Sequence, residues 1–286
     1  MSGPRVLSTE APGKINVCLF VGGTQGRADG RHELVSVMQA VDLCDEVSVR
    51  GGVAADALHC EGVSGPNIVS AALDAFRART GAAGPVAITV AKRIPVSAGM
   101  AGGSADAGAV LRLLNELHGG PLDDDALGAL AAGLGADVPA QVRPGRMLAT
   151  GAGEHVEVRV RKRSYGVVVL PHPEPLSTPA VYREFDRLGL ARGSAELAAL
   201  EGQVREHADD LPDALVVNDL QPAAISLCPP VGANLERLRA AGADLVLVSG
   251  SGPTTLGLTR DADAAERVAI AVGPDAIAVR PWPLGP

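Results

Sequence analysis

The sequence predicts an α+β protein in two lobes, and three observations carry that expectation. Its 286 residues are 47% hydrophobic, enough to bury a sizeable core and long enough for two compact lobes. Runs with strand-like alternation are interleaved with runs of helical spacing. The pattern then restarts at Tyr165 with the apolar run Gly166 to Leu170 and a proline cluster, Pro171, Pro173, Pro175 and Pro179. This places the lobe boundary just before Tyr165, with lobes at 1–162 and 163–286.

In the first lobe, Lys14 to Val21 reads as a strand closing on Gly22-Gly23, and Glu46 to Arg50 as a second strand closing on Gly51-Gly52. Thr24 to Glu33, rich in glycine and charge, reads as a loop. Asn67 to Arg79 has helical spacing, Val86 to Val90 reads as a strand, and Leu122 to Leu134 reads as a helix with Asp123, Asp124 and Asp125 at its positive end. In the second lobe, helices are expected near Pro179–Leu188, Ser194–His207, Val231–Ala241 and Asp261–Val272. Strands are expected at Asp244–Ser249, Thr254–Thr259 and Ala276–Arg280. No repeat period is visible.

Composition narrows the function. Aromatic residues make up 2% of the chain and the net charge is -8, which argues against nucleic acid as partner: a phosphate backbone needs a basic surface, and unstacked bases need aromatic faces. An anionic substrate would need local positive charge. Cys18, Cys44, Cys60 and Cys228 are widely spaced and form no C-x-x-C pair, so they read as reduced thiols. With no apolar segment near Met1 and no run of 18 apolar residues, the expectation is a cytoplasmic protein without a membrane partner, monomeric or homodimeric.

The strongest chemical signal is the run Pro95, Val96, Ser97, Ala98, Gly99, Met100, Ala101, Gly102, Gly103, Ser104, Ala105. It follows a strand and precedes a helix, because Ala107, Val110, Leu111, Leu114 and Leu117 share one helical face. N–H groups at a glycine-rich helix start point outward, and the missing side chains let a phosphate oxygen approach. A plain strand-to-helix turn with Ser104 as N-cap would suit the same residues. Neither a Walker A sequence nor the dinucleotide G-x-G-x-x-G occurs here.

Three more stretches share the chain with this loop. Ala11-Pro12-Gly13-Lys14-Ile15-Asn16 sets Lys14 and Asn16 on one strand face. Leu134-Gly135-Ala136-Asp137-Val138-Pro139 puts a carboxylate in a turn after a helix, where it also reads as an Asx turn or cap. Ser249-Gly250-Ser251-Gly252-Pro253-Thr254 links two strands, which also reads as a hairpin connection. In this order and spacing, together with Ala28-Asp29-Gly30-Arg31-His32-Glu33-Leu34, they resemble the GHMP small-molecule kinases across nearly the whole chain. The D-G-x-H and G-A-D-V-P pieces point to the branch that phosphorylates a cytidylylated polyol on the route to isoprenoid precursors.

The resemblance implies a first lobe like ribosomal protein S5 domain 2, a ferredoxin-like second lobe and an active site in the cleft. It implies ATP and Mg²⁺ as cofactors and a small anionic alcohol as substrate. Asp137 then matches the catalytic base and Lys14 the residue that holds the hydroxyl and the carboxylate. Pro95 to Ala105 would cradle the ATP phosphates, with Ser104 nearest the metal and Asn67 beside the adenine. On the substrate side, His32 matches the reader of the cytosine edge, Asn16 lines that pocket, Tyr182 falls where the family stacks an aromatic ring, and Gly250, Ser251 and Gly252 of the second glycine loop bind the substrate. The chain departs from the family at Arg31, where a Tyr is usual, at Ser97-Ala98, where glycines are more common, and at Ala140 and Gln141, where larger apolar residues are common.

Overall fold

The computed structural model describes residues 5–25, 27–63, 65, 67–95 and 99–283. Along the chain run β1 (Val6–Val21), β2 (Leu34–Gly51), β3 (Ala57–Cys60), α1 (Ile68–Thr80), β4 (Val86–Ala91), α2 (Gly102–Leu117), α3 (Asp124–Ala132), α4 (Val138–Val142), β5 (Arg146–Thr150) and β6 (His155–Arg159). There follow β7 (Gly166–Leu170), α5 (Thr178–Arg187), α6 (Ser194–His207), α7 (Gln221–Leu227), α8 (Pro230–Ala240), β8 (Leu245–Val248), β9 (Thr255–Thr259), α9 (Ala262–Val272) and β10 (Ile277–Val279). The mixture is α+β, as the sequence predicts. None of the described helices is long and apolar enough to cross a membrane.

Two compact units result, each assembled from separate stretches. The first comprises 1–13, 43–95 and 101–144; the second comprises 14–42, 96–100 and 145–286. The boundary expected between 162 and 163 therefore falls inside the second unit's last stretch. Both β1 and β2 give one end to each unit.

In the first unit, Glu46–Gly51 of β2 pairs antiparallel with β4, and β4 pairs parallel with β3. One face of these strands is covered by α1, α2 and α3 through a core that includes Val47, Val49, Phe76, Ile88, Val110, Leu111 and Leu114. Capping sets the helix ends. Asn67 accepts from the N–H groups of Val69 and Ser70 while the Ser70 hydroxyl returns the bond, and Gly81 closes α1 at φ 68°. Asp123 caps α3 through Ala126 N–H at 2.8 Å, with Asp124 and Asp125 in its first turn.

In the second unit, β10, β7, β9 and β8 form an antiparallel sheet in that order, with α8 and α9 packed on it around Val168, Leu170, Leu238 and Val268. Ser36–Gln39 of β2 pairs with β5, and β5 with β6. Gly166 has no alternative residue, because a Cβ there would lie 2.2 Å from the Asp261 carbonyl oxygen.

Several elements run longer than their sequence pattern. β1 begins at Val6 instead of Lys14, passing through the buried Pro12 and Gly13. β2 begins at Leu34 instead of Glu46, since Val35 to Val41 are buried without a break and Ser36 and Gln39 interrupt any alternation. β3, α4, β5, β6 and α7 were too short or too charged to register as periodic runs.

Candidate active site

In the first unit the glycine loop delivers the start of α2. The N-cap of α2 is Ala101, not Ser104: Ala101 takes the left-handed conformation at φ 53°, and its side chain makes no capping bond. Ala105 N–H is the donor to the Ala101 carbonyl at 2.9 Å, so the N–H groups of Gly102, Gly103 and Ser104 have no acceptor within the helix. Ser104 thus sits in the first turn, half-buried, with its hydroxyl on the same terminus. A Cβ on Gly102 would meet Ile94 Cγ2 at 3.2 Å and Lys92 Nζ at 3.3 Å. Val96, Ser97 and Ala98 lie outside the described residues.

Beneath the loop lies a buried ionic anchor that sequence reasoning missed. Lys92 Nζ donates to Asp106 Oδ2 at 2.7 Å and to Asp45 Oδ2. Asp45 Oδ1 accepts from the N–H groups of Arg93 at 2.6 Å and Ile94 at 2.8 Å. The strand leading into the loop and the helix leading out of it are therefore tied to one ammonium group. Burial pushes the Asp106 carboxyl up to about 7, against the lowering effect of Lys92. Burial alone would lower Lys92, but its bonds to Asp106 and Asp45 outweigh that and raise it. Asp106 Oδ1 is buried with no hydrogen-bond partner.

Asp137 stands at the N-cap position of α4, half-buried, and does not cap that helix with its side chain, which removes the bland reading of this residue as a cap. α4 is fixed on α2 by a backbone contact. A Cβ on Gly108 would lie 2.6 Å from the Gln141 carbonyl oxygen, which also accepts from Arg112 Nη1 at 2.6 Å. A Cβ at Gly103 or at Gly135 would touch the side chain of Ile68, at 3.5 and 3.9 Å, so the helix start and the Asp137 turn share a neighbour. Asn67 also belongs to this unit. Its Oδ1 is spent on capping α1, which leaves the Nδ2 donor.

The second unit holds the remaining predicted residues. Lys14 and Asn16 are buried, and Lys14 Nζ donates to Asn16 Oδ1 at 2.8 Å. Asn16 Nδ2 donates to Ser36 Oγ at 2.7 Å, and Ser36 Oγ donates to the Cys18 carbonyl at 2.6 Å. Lys14 N–H donates to the Met100 carbonyl at 2.9 Å, and Asn16 N–H to Ser249 Oγ at 3.3 Å. The second glycine loop is held by Asn218, whose Nδ2 donates to the carbonyls of Val248 and Gly250, each at 2.7 Å. Gly99 at φ 68° lies against this loop, where a Cβ would be 2.9 Å from the Gly252 carbonyl. Ser251 Oγ is 2.9 Å from Thr178 Oγ1.

His32 and Tyr182 meet, with ring centroids 4.9 Å apart, and Phe185 stands edge-on to His32 at 5.9 Å. His32 Nε2 lies 2.7 Å from Asp186 Oδ1. Arg31 takes no part in this aromatic group. Its Nε donates to Asp29 Oδ2 at 2.9 Å, and its Nη2 lies 3.8 Å from Glu154 Oε2. Arg27 bonds the same two carboxylates, and these arginines hold Asp29 well below the usual carboxylate range. Ser36, Asn218 and Asp186 carry no sequence signal because each lies outside the glycine-rich motifs.

Comparison with known proteins fits this geometry. Residues 67–145 match the GHMP kinases N terminal domain and residues 196–275 the GHMP kinases C terminal domain. The chain is similar to 4-diphosphocytidyl-2-C-methyl-D-erythritol kinase of Streptomyces coelicolor, 43% identical with 92% of this chain and 91% of the relative covered. It is also similar to the Nocardioides enzyme of that name, 44% identical with 91% and 90% covered. A crystal structure of 4-(cytidine 5'-diphospho)-2C-methyl-D-erythritol kinase superposes with TM-score 0.78 at 32% identity, covering 97% of this chain and 100% of that one. Homoserine kinase from Cytophaga hutchinsonii shares the fold at TM-score 0.75 and 18% identity, covering 98% and 96%. The chain belongs to the GHMP kinase family, and within it to the 4-diphosphocytidyl-2-C-methyl-D-erythritol kinases.

Proposed function

We propose that this protein transfers a phosphoryl group from ATP to the 2-hydroxyl of 4-diphosphocytidyl-2-C-methyl-D-erythritol. The observation that carries the reading is a pair of polar clusters in one unit: buried Lys14 bonded to Asn16, and His32 tilted against Tyr182. The first supplies a cation for a reacting hydroxyl, and the second an aromatic face and a ring nitrogen for a base edge. ATP with Mg²⁺ supplies the phosphoryl group and a Lewis acid. The hydroxyl of Ser104 and the carboxylate of Asp137 are hard oxygen donors of the kind that metal accepts.

The chain's own residues then divide the work. N–H groups at Gly102, Gly103 and Ser104 receive phosphate oxygens, helped by the positive end of α2. Asp137 takes the proton from the substrate hydroxyl, and Lys14 orients that hydroxyl and steadies the negative charge. Asn16, through Lys14 and Ser36, fixes the ammonium group's position. Phosphoryl transfer depends mostly on positioning and charge stabilisation, so this equipment is sufficient.

The test is ADP release by purified protein with ATP and Mg²⁺ across cytidylylated and free polyols. Turnover of 4-diphosphocytidyl-2-C-methyl-D-erythritol well above the others is expected. Asp137→Asn is expected to lose roughly 10²- to 10⁴-fold in kcat with ATP affinity nearly unchanged; full turnover in that variant would remove Asp137 from the mechanism. Lys14→Ala should suppress the same step.

A second reading, a paralogue acting on another polyol or nucleotide-linked alcohol, is favoured by one observation. Arg31 stands where the family has a Tyr, and it is tied to Asp29 and Glu154 instead of offering a ring. Preference for a different alcohol in the same panel would select it.

A further inference from the structure

Within the second unit lies a cavity of about 290 Å³ that none of the candidate active-site residues lines. Val17 forms part of its wall, and side chains alternate along β1, so the cavity is on the strand face opposite Lys14 and Asn16. Leu211, Val216, Leu245 and Leu258 add apolar surface, and the rest of the lining is polar or charged, a mixture that can hold and orient a small molecule.

Arg146, the first residue of β5, borders this cavity and is 2% exposed. Its Nε donates to the Ala208 carbonyl, and its Nη1 approaches Gln39 Oε1 at 3.4 Å and Tyr165 Oη at 3.3 Å. All three acceptors are neutral. Among the described residues its Nη2 makes no hydrogen bond and the guanidinium makes no ion pair. A buried cation without a counter-ion is costly, and a bidentate oxyanion is the partner that its planar fork fits.

The cavity also has acidic walls, and these restrict what enters. Asp209 is already neutralised by Arg159 at 3.1 Å and Lys162 at 3.2 Å. Asp213 faces Arg163 at 3.9 Å, and Asp244 accepts from Arg260 N–H at 2.9 Å. Asp210 makes no ion pair among the described residues, and with Asp244 it offers acceptors to donor groups on a ligand. The geometry points to a second small-molecule site, which takes a hydroxylated oxyanion with its anionic head on Arg146 and its hydroxyls toward Asp210 and Asp244. Sugar acids and polyol phosphates share that chemistry.

Titration calorimetry on the full chain tests this at fixed ionic strength, with a non-hydrolysable ATP analogue and Mg²⁺ present so that the glycine loop is filled. Glycerol 3-phosphate, glycerate and glycerol are the three probes. Binding of at least one anion with Kd below about 1 mM is expected, with none for glycerol. The phosphate and carboxylate arms tell which oxyanion is preferred. Arg146→Gln is expected to weaken binding at least tenfold. Val216→Trp, at a half-exposed wall position away from Arg146, should do the same by filling the cavity, and it decides the matter if Arg146→Gln does not fold. No binding by either anion, equal binding of glycerol, or undiminished binding in Val216→Trp would overturn the proposal.

Discussion

Two cations, half-buried Lys92 in the first unit and buried Arg146 in the second, are solvated in opposite ways. Lys92 lies between the carboxylates of Asp45 and Asp106, so its charge is more than matched by the protein itself. Among the described residues the acceptors around Arg146 are a carbonyl, an amide oxygen and a phenol oxygen. Low dielectric makes both arrangements consequential, but in different directions. The first has negative charge in excess of its cation, and burial raises Asp106 toward neutrality against the pull of Lys92 while its Oδ1 has no hydrogen-bond partner. The second has too little, which leaves a valence for something from outside. The lesson is that a cation matched by the protein's own carboxylates marks scaffold, whereas one held by neutral acceptors marks a place where an anionic ligand would fit.

The sharpest way to break this contrast is to delete each cation. Lys92→Met strands two buried carboxylates next to each other and releases the strand entering the glycine loop. A loss of about 3 to 5 kcal/mol in unfolding free energy is expected, read from urea midpoints. Arg146→Met should lose less, about 1 to 3 kcal/mol, since only neutral acceptors are left unmatched. Equal losses in the two variants would show that the carboxylates around Lys92 contribute nothing special.

A third effect is a dependence on pH. Asp106 moves from an ordinary 3.8 in the unfolded chain to about 7 in the fold. Between these values the folded chain keeps a proton that the unfolded chain has released. Its contribution is therefore fullest below the lower value, is lost as pH rises through the interval, and is level above it. Asp106→Asn keeps an acceptor for Lys92 and should flatten that slope, measured as urea midpoints across roughly pH 5 to 8. An unchanged slope in the variant would place the titrating group elsewhere.

The sequence made the motifs legible and left their supports hidden. Glycine, Asp137 and Lys14 stand in runs whose order carries meaning; in the structure the loop lies at the start of α2, Asp137 ahead of α4 and Lys14 beside Asn16. Asp45, Lys92 and Asn218 carry no such mark. Asp45 reads as one more acid in a charged strand, and Asn218 acts by donating to two backbone carbonyls far along the chain. Long-range partners of this kind leave no periodic trace. The misplaced N-cap has a similar cause: Ser104 fits the statistical preference, but Gly102 packs closely on Ile94 and Lys92, and the helix starts three residues earlier.

The contact of Gly108 with the Gln141 carbonyl bears on redesign. Even one methyl at that position has no room, so α4 cannot slide along α2, and the seat of Asp137 is fixed by main chain instead of by exchangeable side chains. Directed evolution toward other alcohols would therefore find little freedom around the base. Accepted changes should accumulate instead near Arg31, His32 and Tyr182, where side chains alone define the surroundings.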